Sequence, residues 1–112
     1  MFSLLRNLLT RKPSAEWPFD QPRNCTTFTT REVLEQGEPI LLVTHDADDH
    51  AWQFIGSTDG TAENVKLVCL GCMVDHDPSI VEVADLPLGW EAVRDGPTSP
   101  WVRRIHPPHD DE

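Results

Sequence analysis

The sequence predicts an α+β fold, a mainly antiparallel sheet of about four to five strands with two or three short helices, preceded by an N-terminal amphipathic helix. Three observations carry this. Apolar runs of strand length recur between polar turns, as at Pro39 to Thr44 and Ala51 to Ile55. Two helix-start signals, near Thr29 and at Asp77-Pro78-Ser79, stand between such runs. The chain has 112 residues, enough for one hydrophobic core and too few for two domains of ordinary size.

Taken in order, Phe2, Leu5 and Leu9 share one helical face with Leu4 and Leu8 beside them, and Ser3, Arg6, Asn7 and Thr10 lie opposite. Pro13 ends this helix. Pro13, Pro18 and Pro22 around Trp17 and Phe19 favour an extended arm over a helix, so residues 1–22 form a helix and arm. The single α+β domain spans 23–105, and residues 106–112 are an acidic tail.

Within the domain, Asn24 to Phe28 reads as a threonine-rich strand, and Thr29 with Glu32 has capping-box spacing before a short helix over 30–36 that Gly37 ends. The two apolar runs that follow make a β-hairpin around the acidic stretch Asp46 to Asp49. Ser57 to Gly60 is a turn, and Val65 to Leu70 is the next strand. Asp77 and Pro78 open a helix through Ala84, which Leu86-Pro87-Leu88-Gly89 breaks. Trp90 to Arg94 alternates as a half-buried strand, and Trp101 to Ile105 adds an edge segment.

Charge narrows the partners. Nineteen acids against nine bases give a formal charge of −10, and residues 13–112 carry nineteen acids and only six bases. Such a body repels phosphate backbones, which argues against nucleic acid, and steers basic proteins toward itself. No apolar run reaches the roughly 18–20 residues of a membrane span, so no integral membrane segment is expected. The start lacks the charge-first order and cleavage site of a signal peptide. Three cysteines are too few and too odd for a disulfide framework, which points to a cytoplasmic location with all three thiols free.

Cys25-Thr26-Thr27, Val33-Leu34, Gly37-Glu38-Pro39-Ile40, His45-Asp46 with Trp52-Gln53-Phe54, Asp77-Pro78-Ser79 and Leu86-Pro87-Leu88-Gly89-Trp90-Glu91-Ala92-Val93-Arg94 together resemble a bacterial domain family of unknown function. The resemblance spans about residues 24–104. That family includes proteins proposed to be immunity proteins of polymorphic toxin systems. It implies the fold and an immunity role, and it carries no site residues to transfer.

Three constellations bear on chemistry. Cys69-Leu70-Gly71-Cys72 has the spacing of a redox pair or a zinc half-site, and His76 and Cys25 complete a conceivable set of four ligands. The plainer reading is small buried apolar residues, with no metal and no cofactor. His45 to His50 offers Asp46, Asp48 and Asp49 without the glycine hinge and distal carboxylate of a calcium loop, so it reads as a solvated hairpin loop open to a basic partner. Trp17, Trp52, Trp90 and Trp101 read mainly as core. Trp90 and Trp101, set near Arg94, are of the residue types that dominate binding interfaces.

No nucleophile–base motif and no phosphate-cradling loop occurs. The sequence therefore points to a non-enzymatic protein-binding module, immunity-type, acting on a protein partner such as a basic toxin domain. Interaction residues are Trp90, Arg94, Trp101, Asp46, Asp48 and Asp49. The alternative is a metal-binding or redox protein using Cys69 and Cys72. The leucine face of residues 1–12 is a candidate homodimer contact.

Overall fold

In the computed structural model, which describes residues 17–106, the threonine-rich segment forms strand β1 (Thr26–Thr30) and passes directly into helix α1 (Arg31–Glu35). The cap falls one residue later than expected: Thr30, in extended conformation, accepts the Val33 N–H on its hydroxyl at 3.2 Å. Thr29 is thereby free to donate across the sheet to the Phe54 carbonyl at 2.6 Å. Gly37, at φ +73°, takes the left-handed conformation that lets the Glu38 N–H fold back onto the Glu32 carbonyl.

The hairpin forms as expected from strands β2 (Leu42–His45) and β3 (Trp52–Ile55), joined by the acidic loop. Strand β4 (Val65–Cys69) leads into helix α2 (Leu70–His76). The segment after Asp77 is a 3-10 helix (Pro78–Val83), with i to i+3 bonds such as Ala84 N–H to Val81 carbonyl. Strands β5 (Trp90–Val93) and β6 (Val102–Ile105) close the element list.

The class is α+β, but the sheet is larger and differently wired than expected. It has six strands in the order β4-β1-β3-β2-β5-β6. Four neighbouring pairs are antiparallel, while β1 and β3 run parallel, with Phe28 opposite Gln53 and Thr29 opposite Phe54. The mixed character arises because α1 and the Pro39 segment carry the chain past β3's place, so that β3 returns between β1 and β2. The expected N-terminal helix, and the homodimer contact built on it, lie outside the described residues.

Strand alternation separates the sheet into two unlike faces. Val43, Trp52, Phe54 and Ala92 project to one face, where they join Val33, Leu70, Met73, Ile80, Val83 and Leu86 in a single buried cluster. Burial of each large side chain there contributes about 1.5–3 kcal/mol. Phe19 of the proline-rich arm belongs to the same cluster, its ring edge-on to Trp52 at 5.2 Å, so the arm is docked on the domain through its aromatics.

The opposite face carries Val65, Leu67, Phe28, Ile55, Leu42, Val93 and Val102 by the same alternation. Thr30, Thr44 and Glu91 of this face are buried, but several of its apolar side chains are open to solvent. Leu67 is 64% exposed, Val102 57% and Val65 41%. Among the described residues no helix is long and apolar enough to cross a membrane.

Candidate functional site

The Trp90, Arg94 and Trp101 set comes together, but inward. Arg94's side chain is only 2% exposed. Its Nε donates to the Ile40 carbonyl at 2.9 Å, its Nη1 to Ser79 Oγ and the Pro97 carbonyl at 3.0 Å, and its Nη2 to Asp77 at 3.2 Å. The guanidinium lies over the Trp101 ring at 4.1 Å. Trp90 and Trp101 are half-buried against the core. Arg94 thus faces inward, tying the Ile40, Asp77–Ser79 and Pro97 segments together. The reason is the Asp77 cap, which places a carboxylate where a buried guanidinium can reach it.

The acidic loop behaves as a hairpin turn. Asp46 accepts the Asp48 N–H at 2.8 Å and Asp49 accepts the Ala51 N–H at 3.0 Å, which is the Asx chemistry expected of aspartate in turns. His50 completes it in left-handed conformation at φ +63°. Asp48 is exposed. Asp49 also lines a groove of about 400 Å³ on the open face, whose walls include Phe28, Gln53, Ile55 and Val65. The sequence reading missed these apolar residues: the alternation of Val65, Leu67 and Cys69 marks a strand, yet nothing local says which of its faces stays uncovered.

Cys69 and Cys72 form a disulfide, which corrects the expectation of three free thiols and removes both sulfurs from a metal set. The pair spans the junction where β4 ends and α2 begins, a geometry that brings the two α-carbons to 5.0 Å. Cys25 is free and half-buried. Because Thr26 stands opposite Cys69, Cys25 projects to the other face of the sheet. His76 ends α2. Among the described residues no group of three or more His, Cys, Asp or Glu side chains is placed to hold a metal ion, so Cys69, Cys72, His76 and Cys25 do not assemble as a ligand set.

A second polar cluster, not foreseen, sits on β5. Glu91, 6% exposed, accepts from His106 Nδ1 at 2.6 Å and from Arg104 Nε. Burial pushes the Glu91 carboxyl up, but the hydrogen bonds from His106 and Arg104 and their positive charge outweigh it and hold the carboxyl below its ordinary value. The cluster pins β6 and the segment after it to β5.

Comparison with protein-family models, with curated proteins and with solved structures finds no match to this chain.

Proposed function

We propose that this chain is a non-enzymatic protein-binding module that receives a basic protein on the open face of its sheet, as an immunity protein covers a toxin domain. The observation that carries the reading is the groove of Phe28, Ile55 and Val65, continued by the exposed Leu67 and rimmed by Asp49. Exposed apolar side chains gathered on one sheet face, as Val65, Leu67 and Val102 are here, are unusual for a surface that only meets water. The groove accommodates an aliphatic or aromatic anchor, and such anchors dominate interface energetics. Residues 17–106 carry fifteen acids and six bases, a field that accelerates the approach of a cationic partner. The bacterial immunity-family resemblance supports the same class of partner.

The test is co-expression with the basic product of the adjoining gene. Relief of that protein's growth inhibition and a one-to-one complex are expected, with affinity falling as salt rises. Leu67→Asp and Val65→Asp, at exposed positions, should leave the fold intact and weaken the complex at least about tenfold. A complex indifferent to both substitutions overturns the reading. If Leu67→Asp instead lowers the Tm of the full chain but not of a chain lacking residues 1–12, the groove's occupant is the chain's own leucine-rich start, and the partner reading fails.

A further inference from the structure

We infer that the Cys69–Cys72 disulfide is a thiol–disulfide exchange site whose substrate is a thiol compound or a protein dithiol, attacked through Cys72. Four observations carry this, and none depends on the docking groove.

The bond is badly placed to be a structural staple. It closes a loop of only four residues, so it removes little entropy from the unfolded chain. The residues it links are also already held: β1 and β4 pair along five positions, Leu70 N–H donates to the Cys25 carbonyl at 2.7 Å, and Gly71 N–H donates to the Arg23 carbonyl at 2.8 Å. A cross-link between segments fixed by other bonds adds little to the fold.

It is well placed to react. Cys72 is an exposed residue while Cys69 is half-buried, so Cys72 offers the more open side of the bond to an incoming thiolate. The Cys69 sulfur accepts the Cys72 N–H at 3.0 Å, the contact that would stabilise it as a leaving thiolate.

Positive charge is supplied beside it. Gly71, between the two cysteines, lets Arg23 approach so closely that a Cβ there would stand 3.0 Å from the Arg23 Nε and 3.1 Å from its Cζ. The guanidinium lies over the Trp17 ring at 4.8 Å and meets the exposed Asp75 carboxylate at 3.3 Å. An arginine adjacent to a Cys-x-x-Cys loop favours thiolates over thiols.

In the reductive direction a partner thiolate attacks Cys72 Sγ. The Cys69–Cys72 bond breaks, its electron pair passes to Cys69 Sγ, and a partner–Cys72 mixed disulfide forms. A second thiolate, the dithiol partner's own or that of a second thiol molecule, then attacks the partner sulfur in that bond, releasing Cys72 as a thiolate and leaving the partner sulfurs joined as a disulfide. The partner has lost two electrons and the chain has gained them. Protons from the two partner thiols go to solvent or to the released cysteines, and the reverse sequence regenerates the disulfide.

The test uses the full chain equilibrated in glutathione redox buffers, with free thiols trapped by alkylation and counted by mass spectrometry. Expected is a reversible gain of two labels on Cys69 and Cys72 while Cys25 contributes one throughout and circular dichroism stays native. Cys69→Ser should form a glutathione mixed disulfide at Cys72, at least about tenfold faster than Cys72→Ser does at Cys69. Arg23→Gln should slow alkylation of the reduced protein near pH 7 and match wild type at pH values above the thiol range, a pH profile that a merely structural arginine would not produce. Opening of the pair only upon unfolding would make the bond a cross-link and overturn the inference. So would one equivalent of zinc retained by the reduced protein.

Discussion

Arg94 lies over the face of Trp101 with its Cζ 4.1 Å from the ring centre, while the same guanidinium donates to Asp77 at the start of the 3-10 helix. One side chain therefore ties together the end of β5, the Pro97 loop and the Asp77 turn. Arg94→Ala removes the guanidinium donor to the Ile40 and Pro97 carbonyls and to Asp77 Oδ2, while Asp77 Oδ1 keeps its bonds from Ser79. Because Asp77 is partly exposed, the expected loss is about 3 kcal/mol, at the lower end of the range for a broken buried pair. Arg94→Lys should recover little, since an ammonium cannot reproduce the planar fork. Urea unfolding of the two variants checks both statements.

The Glu91 cluster makes stability depend on acid. Glu91's carboxyl is held below its ordinary value in the folded protein, so the unfolded chain binds its proton more readily. The stabilisation is fully present above the unfolded value near 4.5 and is lost as pH falls through the lower folded value. Glu91→Gln should lower stability at pH 7 and flatten the drop in Tm between roughly pH 5 and pH 3. Equal acid slopes for variant and wild type would contradict it.

Gly56 is under a steric constraint. A Cβ there would meet Glu38 Oε1 at 2.5 Å and the Pro39 carbonyl at 2.7 Å. The Glu38 carboxylate cannot simply move, because Thr58 Oγ1 donates to it at 2.6 Å and Thr58 N–H at 3.1 Å. Those bonds, Thr58's hydroxyl foremost, lower the Glu38 pKa. Gly56→Ala should cost about 1–3 kcal/mol in denaturant unfolding. A neutral outcome would show that the backbone at Pro39 yields.

His50 adopts φ +63° at the end of the acidic loop, a conformation disfavoured for a residue with a Cβ. His50→Gly relieves that cost and adds back some unfolded-state entropy, so a net gain of up to about 1 kcal/mol is expected. A thermal melt at neutral pH reads it. A loss of stability would mean that the imidazole makes a contact worth more than the strain.

The amino-acid sequence by itself determined the local pieces of this protein. Alternation and turn residues placed the β2–β3 hairpin, β4, β5 and β6 within a few residues, because strand periodicity and Asx turns are encoded by neighbours in the chain. A cap before α1 (read one residue early, at Thr29), Gly37 and the Asp77-Pro78 start were legible for the same reason, although Pro78 opened a 3-10 helix. The Cys-x-x-Cys spacing was legible too, but whether its sulfurs are thiols, ligands or a disulfide depends on how β4 meets α2. Tertiary structure alone decided that β3 returns parallel beside β1, since pairing across distant segments follows from burial of the whole sheet face and not from any local signal. It turned Arg94 inward by bringing Asp77 and Trp101 to it. It also left Leu67 and Val65 exposed beside Phe28: a strand's pattern names two faces, and only the packing of the helices on one of them determines which face remains open.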